Sequence, residues 1–308
     1  MKWLKTKMVS TFTDVPYGGN PAWVVTGVDA KEDMLKLLRL ASELNPVSDT
    51  VFVFPGDNEC EIALRFFSRS EEISFSGHGT IAAYYAIEDM KMIHFTEPMC
   101  MVRQKTKSGI QSIELRMKNN RIRRVTVSVN VPQFISSPLD IKQIARFLGI
   151  PPVSIIDTNQ PMGVVTFSGC TEIIVPIDTC ETMLQMTPNF QVMKNFCERL
   201  QLTGVVVYCL KTIEKKNTAH IRHFAPAVGI SEDPVSGAAS AALGSFLIHN
   251  RLIPVEETTR LIIEQGHAMR RPGIVYVHIH TYKNQILKVT FGGQGVITFE
   301  GRIIQPEN

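Results

Sequence analysis

Two glycine-containing turns hold the residues best suited to chemistry. They are Ser76-Gly77-His78-Gly79 and Asp233-Pro234-Val235-Ser236-Gly237, and each opens a segment that is small or apolar on every side. The first N–H groups of a helix have no partner inside it, and together with the macrodipole they form an anion site. Two such ends would grip a small molecule that carries a carboxylate. Gly77, Gly79 and Gly237 would let the backbone approach that ligand closely, while His78, Ser236 and Asp233 would add polar side chains. The competing reading is that the glycines only permit tight packing of strand on helix. One further carboxylate, Glu43 in Ala41-Ser42-Glu43-Leu44-Asn45-Pro46, ends a Leu-rich helical stretch just before a strand. There it faces the unfavourable end of the helix dipole, a setting for general acid/base work, although plain solvated surface is the commoner role.

Other chemistries find little support. Gly77-His78-Gly79 has no third glycine three residues on and no alternation of strand and helix around it, so it is not a dinucleotide fingerprint. A phosphate-binding Gly-Lys-Ser/Thr loop is missing, and neither Ser76 nor Ser236 sits in a Gly-x-Ser-x-Gly elbow. Among the histidines His278-x-His280 is in a strand a same-face pair, for which a solvated or cross-strand role is expected, so no metal and no cofactor is expected. The six cysteines, at 60, 100, 170, 180, 197 and 209, form no CxxC and stand beside neither glycine turn. They read as reduced thiols.

The chain has 308 residues, 44% hydrophobic and 20% charged, enough for roughly two domains with a large core. A net charge of +3 from 32 basic and 29 acidic side chains is far from the field that phosphate contacts demand, so nucleic acid is not an expected partner. The basic start, Met1-Lys2-Trp3-Leu4-Lys5-Thr6-Lys7, is followed by no apolar export core, and no apolar stretch approaches a membrane span. A cytoplasmic protein without a membrane partner is expected.

The elements that must position the turns are mixed. Val51-Phe52-Val53-Phe54, Ile62 to Phe67, Ile173-Ile174-Val175, Val205 to Tyr208 and Ile274 to Ile279 are β-branched or aromatic runs bounded by turn residues, hence strands. Hairpins are expected at Lys118-Asn119-Asn120 and at Lys283-Asn284-Gln285. Amphipathic helices are predicted over Met34–Glu43, Ile141–Leu148 and Val192–Leu200, and buried ones over Gly79–Ile87 and Gly237–Ile248. Each buried helix follows a strand with an Arg-x-Phe pattern, Arg65-Phe66-Phe67 or Arg222-His223-Phe224. The two units stand half a chain apart and suggest an internal repeat, each half wrapping strands round a central helix.

Five ordered blocks resemble the phenazine biosynthesis PhzF-like family, within the diaminopimelate-epimerase-like fold. They are Phe12-Thr13-Asp14 with Gly19-Asn20-Pro21-Ala22-Trp23-Val24-Val25; Ala41 to Asn45; Arg65-Phe66-Phe67 leading to Ile73-Ser74-Phe75-Ser76-Gly77-His78-Gly79-Thr80; Arg222 to Pro226; and Glu232-Asp233-Pro234-Val235-Ser236-Gly237-Ala238-Ala239. The resemblance implies an α+β fold of two similar halves, each a mixed, mostly antiparallel, barrel-like sheet around an apolar helix, with the active site in the cleft between them. It also implies that Gly295-Val296-Ile297-Thr298-Phe299 returns to the first half, giving domains of 1–128 with 290–308 and of 129–289.

By motif match, Glu43 is the family's acid/base carboxylate, and His78, Asp233 and Ser236 surround the substrate. N–H groups near Gly77, His78, Gly237 and Ala238, beside Ser76 and Gly79, would hold its carboxylate. The tract after Glu43, Leu44-Asn45-Pro46-Val47-Ser48-Asp49-Thr50, is one residue longer than the Glu-x-Asn-Leu-Ser-Glu-Thr of many relatives, so the pocket wall there is expected to differ. Cysteines that serve as the acid/base pair in diaminopimelate epimerases are absent from both turns.

The expected activity is a cofactor-independent isomerisation that moves a proton on a small unsaturated carboxylate. In the phenazine pathway that substrate is a dihydro-hydroxyanthranilate. Two alternatives are an epimerase or racemase of an amino or hydroxy acid, with Glu43 and Asp233 as opposing groups, and a carboxylate-binding protein without turnover. The family further implies a homodimer.

Overall fold

The computed structural model describes residues 2–44, 48–135, 139–167 and 169–305. The chain divides into two compact units, Met1–Ser128 with Gly292–Asn308, and Val129–Phe291.

Unit 1 is a mixed sheet around one helix. Its elements are β1 (Trp3–Thr11), β2 (Asn20–Thr26), α1 (Met34–Leu44), β3 (Thr50–Pro55), β4 (Ile62–Phe67), β5 (Glu72–Ile73), α2 (Gly77–Asp89), β6 (Met99–Thr106), β7 (Gly109–Lys118) and β8 (Arg121–Val129). Strand β2 runs antiparallel to β1 and parallel to β3, which pairs antiparallel with β4. On its other side β4 meets β5 and then, in parallel, β6, from which β7 and β8 follow as antiparallel neighbours. The chain's last strand, Gly295–Ile304, lies antiparallel to β1, pairing Trp3 with Ile304.

Helix α2 is buried from Gly79 to Ile87, because Ala, Ile, Tyr and Thr leave it no polar face. It packs against β1, β2, β3 and the last strand. Amphipathic α1 covers the opposite face, where Leu37, Leu40 and Ala41 meet Leu4, Val25, Phe52, Phe54 and Phe67.

Unit 2 repeats this plan in the same order. It contains β9 (Gln133–Ile135), α3 (Ile141–Leu148), α4 (Val153–Ile156), β10 (Gly163–Phe167), β11 (Cys170–Pro176), α5 (Cys180–Gln185), α6 (Phe190–Leu200), β12 (Gly204–Cys209), β13 (Ala219–Ala225), β14 (Ile230–Asp233), α7 (Gly237–His249), β15 (Thr258–Gln265), β16 (Gly273–Tyr282) and β17 (Gln285–Gly293). The last strand, Gly295–Ile304, is therefore β18. Strands β9 and β10 pair antiparallel, as do β10 and β11, while β11 and β12 are parallel. Antiparallel β12–β13 and β13–β14 pairs follow, then parallel β13–β15 and antiparallel β15–β16.

Each parallel and antiparallel step thus matches one in unit 1, and helices α2 and α7 both have 13 residues. The repeat expected from the two glycine turns is present. Its hairpins match too: Asn119-Asn120 between β7 and β8, and Lys283-Asn284 between β16 and β17, all adopt positive φ, the twist a two-residue turn needs to bring paired strands back together.

The Arg-x-Phe pattern acquires a physical meaning in the repeat. Arg65 donates from Nε and an Nη to the two carboxylate oxygens of Glu72, at 2.8 and 3.0 Å, and lies over Phe67. Arg222 makes the same fork to Glu232, at 2.8 and 2.8 Å, and lies over Phe224. In each unit this clamp ties the long central strand to the short one that leads into the buried helix. No helix among the described residues is long and apolar enough to cross a membrane.

Candidate active site

Both glycine turns become helix N-termini capped by serine. Ser76 is extended, and its Oγ accepts from the Gly79 N–H at 3.2 Å, while its carbonyl accepts from the N–H and the hydroxyl of Thr80. Ser236 treats Ala239 and Ser240 identically, again at 3.2 Å to the N–H. With those donors taken, the N–H groups of Gly77 and His78, and of Gly237 and Ala238, are the ones for which the helices provide no acceptor. These are the donors an anion would use.

Packing accounts for two of the glycines. A Cβ on Gly79 would stand 2.9 Å from both Ser76 Oγ and Val51 Cγ2, and one on Gly237 would stand 2.3 Å from the Phe291 ring. Neither position tolerates a side chain whether or not a ligand binds.

In unit 1, polar groups gather at the cap. Ser76 Oγ donates to Asp49 Oδ2 at 2.6 Å, a charge-assisted bond, and lies 3.4 Å from Nδ1 of His78. The other ring nitrogen of His78 stands 3.5 Å from the same Asp49 oxygen, close enough for an ion pair but without a hydrogen bond. The imidazole is therefore held between the cap hydroxyl and a carboxylate at the helix end. Asp49 was not among the residues singled out from the sequence. Its signal was available, since it lies in the tract after Glu43 that reads Ser48-Asp49-Thr50.

Glu43 occupies the last turn of α1 and is exposed. Residues 45–47 of the longer tract lie outside the described residues, so the expected difference in the pocket wall falls there.

In unit 2, Asp233 ends β14 and reaches His223 of β13, with Oδ2 3.5 Å from Nδ1. The opposite nitrogen of His223 is 3.3 Å from Glu172 Oε2 on β11. Burial works against a charged imidazole here, but the two carboxylates outweigh it and lift His223 to about 10. At neutral pH it is a buried cation between the two carboxylates, which holds the Asp233 side chain in place. Gln265 braces the turn from both sides, donating to the Asp233 carbonyl at 2.7 Å and accepting from the Ser236 N–H at 2.9 Å. Glu172, His223 and Gln265 were not picked as site residues, because their partners lie on strands remote in sequence.

Known proteins are similar to this chain along nearly its whole length. The family model described as phenazine biosynthesis-like protein matches residues 9–301. An uncharacterized isomerase of Clostridium acetobutylicum is 29% identical over 96% of this chain and 96% of its own length. The uncharacterized isomerase YfhB of Bacillus subtilis is 29% identical over 99% of this chain and all of its own. Among solved structures, a PhzF-family phenazine biosynthesis protein of Bacillus anthracis superposes with a TM-score of 0.89 at 25% identity, covering 99% of this chain and 100% of that one. With two capped helix ends on a duplicated α+β frame and a match along nearly its whole length, the chain belongs to the PhzF-like family of phenazine biosynthesis-like proteins and is an isomerase.

Proposed function

We propose that the protein is a cofactor-independent isomerase that moves a proton on a small unsaturated carboxylate of the dihydro-hydroxyanthranilate type, and that it works as a homodimer. Glu43 removes a proton from an acidic carbon and returns it to another position, shifting the double bond without net loss of atoms. The substrate carboxylate is held by helix N–H groups at Gly77, His78, Gly237 and Ala238, with Ser76, Gly79 and Ser236 shaping those ends. His78 stabilises the negative charge that develops as the C–H bond breaks, a preorganised effect worth about 2.7–4 kcal/mol for one well-placed donor. Asp233 orients a substrate amine or hydroxyl, or relays the proton.

The observation that supports this reading best is the pair of serine-capped helix ends whose first N–H groups have no helical acceptor. They provide anion recognition without a cluster of Lys or Arg. Glu43→Gln tests the base: deuterium from solvent should no longer enter a dihydro-hydroxyanthranilate substrate, while binding measured by thermal shift persists. Exchange as fast as in the wild type would remove Glu43 from the mechanism.

A second reading, stereoinversion of an amino or hydroxy acid, draws support from Asp233, a second carboxylate held in place by a cationic histidine. Chiral chromatography separates the two, because an epimerase leaves connectivity unchanged and an isomerase of this kind moves a double bond.

A further inference from the structure

Unit 2 contains a cluster of soft and imidazole ligands that the proposed proton transfer does not use. Cys180 Sγ, a ring nitrogen of His220 and a carboxylate oxygen of Glu264 all lie within 4.8 Å of one another. A second thiol, Cys209, lies beside Cys180, whose own S–H donates to the Lys211 carbonyl at 2.7 Å, and the ring centroid of His267 stands 5.1 Å from that of His220. The five residues come from α5, β12, β13, β15 and the 3-10 turn His267–Met269, so five separate elements deliver them to one place.

Two observations distinguish this cluster from ordinary polar packing. First, His220 is wholly buried, yet its Nε2 has no hydrogen-bond partner, and Nδ1 of His267 is likewise buried without one. The other His220 nitrogen is committed: Nδ1 lies 3.0 Å from Glu264 Oε1. Glu264 is itself saturated by the N–H groups of Ile213 and Glu214 and the amide of Asn217, at 2.6, 3.1 and 2.5 Å. A carboxylate that fixes the tautomer of one imidazole and leaves its other nitrogen with an open lone pair is the orienting arrangement behind metal-bound histidines.

Second, the fold does not require these residues. The repeat places Phe54, Ala63 and Lys105 in unit 1 where unit 2 has Cys209, His220 and Glu264, since Arg65 and Arg222 anchor equivalent registers and Ala63 pairs with Lys105 as His220 does with Glu264. The same strands are thus built once with an apolar and solvated set and once with a ligand set.

We propose that Cys180, Cys209, His220 and His267 form a zinc site, with Glu264 as the residue that positions His220. Two thiolates and two imidazoles are the donor set and number that tetrahedral zinc takes. Zinc–ligand distances of about 2.0–2.3 Å require these side chains to draw together on binding, with Cys180 giving up its hydrogen bond to the Lys211 carbonyl. On entry, two S–H bonds break, two zinc–sulfur bonds form and two protons pass to solvent, with no change of oxidation state. The site would tie α5 and the 3-10 turn to the sheet, a structural role in unit 2.

The test uses the full-length protein, stripped with a chelator and titrated with Co2+ and then Zn2+. The expected result is one equivalent of Co2+ bound with a sulfur-to-cobalt charge-transfer band and tetrahedral d–d bands, displaced by one equivalent of Zn2+. Cys180→Ser and His267→Gln should each weaken binding by at least tenfold, and Cys180→Ser should diminish the charge-transfer band. Glu264→Gln should weaken it by about 10–100-fold through loss of His220 orientation. Cys100→Ser, in unit 1, should bind as the wild type does. Far-UV circular dichroism confirms that each variant is folded, and the half-buried Cys180 and His267 keep the test open should the Glu264 variant unfold. Absence of saturable binding at one equivalent, or binding that neither Cys180→Ser nor His267→Gln alters, would overturn the proposal.

Discussion

The duplicated caps allow a comparison within one molecule. Ser76 and Ser236 do the same work for their helices, but only Ser76 has a described hydrogen bond from its hydroxyl to a carboxylate, Asp49 Oδ2 at 2.6 Å. Ser236→Ala should cost what an N-cap is worth, about 1 kcal/mol within a range of about 0.5–2. Ser76→Ala loses the same cap and also a hydrogen bond to a charged acceptor worth about 1.5–3 kcal/mol. The Asp49 side chain is only 17% exposed, so water replaces that donor incompletely. The total for Ser76→Ala is therefore about 2–5 kcal/mol. Because two units need not unfold together, each helix is best read separately, by hydrogen exchange followed on peptides covering Gly77–Asp89 and Gly237–His249. Combining Ser76→Ala with Asp49→Asn isolates the pair, and a coupling of about 1 kcal/mol or more is expected. Equal losses of protection in the two single variants, with no coupling in the cycle, would show that the Asp49 bond contributes nothing and that His78 is not braced by it.

Other expectations follow from packing and charge. Gly237→Ala drives a methyl to 2.3 Å from Phe291 and should destabilise by about 1–3 kcal/mol, measured as a lowered urea midpoint; adding Phe291→Leu should restore part of it. Arg222→Met strands Glu232 and removes the donor shared by the carbonyls of Met183 and Met186, with an expected loss of about 3–5 kcal/mol. Arg65→Met should cost less, since the Arg65 side chain is 27% exposed against 7% for Arg222.

His223 makes the stability of unit 2 depend on pH in a defined direction. Its pKa is raised on folding to about 10, so its contribution is complete below the unfolded value of about 6.5 and is lost as the pH rises towards 10. Between those limits the unfolding free energy should fall by up to about 1.4 kcal/mol per pH unit. In His223→Gln that slope should flatten, and an unchanged slope would show that another group titrates.

How much of this was legible in the sequence depended on how local the determining contacts are. Helix α1 and α3 showed because Leu37 and Leu40, or Ile144 and Phe147, recur at helical spacing. Helices α2 and α7 showed because no charged residue interrupts Gly79–Ile87 or Gly237–Ile248, and the Asn119-Asn120 turn because asparagine tolerates positive φ. Strand β1 was hidden. Its Lys7 looks like part of a basic surface tail but is buried, with Nζ 2.8 Å from Asp89 and 2.9 Å from Glu300. Only partners from far along the chain make that lysine an interior residue.

The site divides along the same line. Ser76, His78 and Ser236 announce themselves beside glycines at helix starts. The partners that hold the polar groups in place do not: Asp49, just before β3, reaches Ser76 at the start of α2, and Glu172 reaches His223 across β12. The ligand-like cluster was invisible for the same reason. Its cysteines and histidines have no metal-binding spacing in the sequence, and parallel register alone sets His220 against Glu264. The expectation of no metal was drawn from spacing, which is blind to pairs made between strands.

The pairing of β18 with β1 sets an order for synthesis. Unit 2 is one uninterrupted stretch, whereas unit 1 needs both Trp3–Thr11 and Gly295–Ile304 to complete its sheet. As the chain leaves the ribosome, β1 waits with one edge uncovered while the whole of unit 2 is made, an edge able to pair with the wrong strand. Lys7 offers a safeguard, because until Glu300 arrives its ammonium has lost one of its two anionic partners and resists being enclosed by a foreign strand. The residue that is interior in the finished protein is thus a gatekeeper in the nascent one.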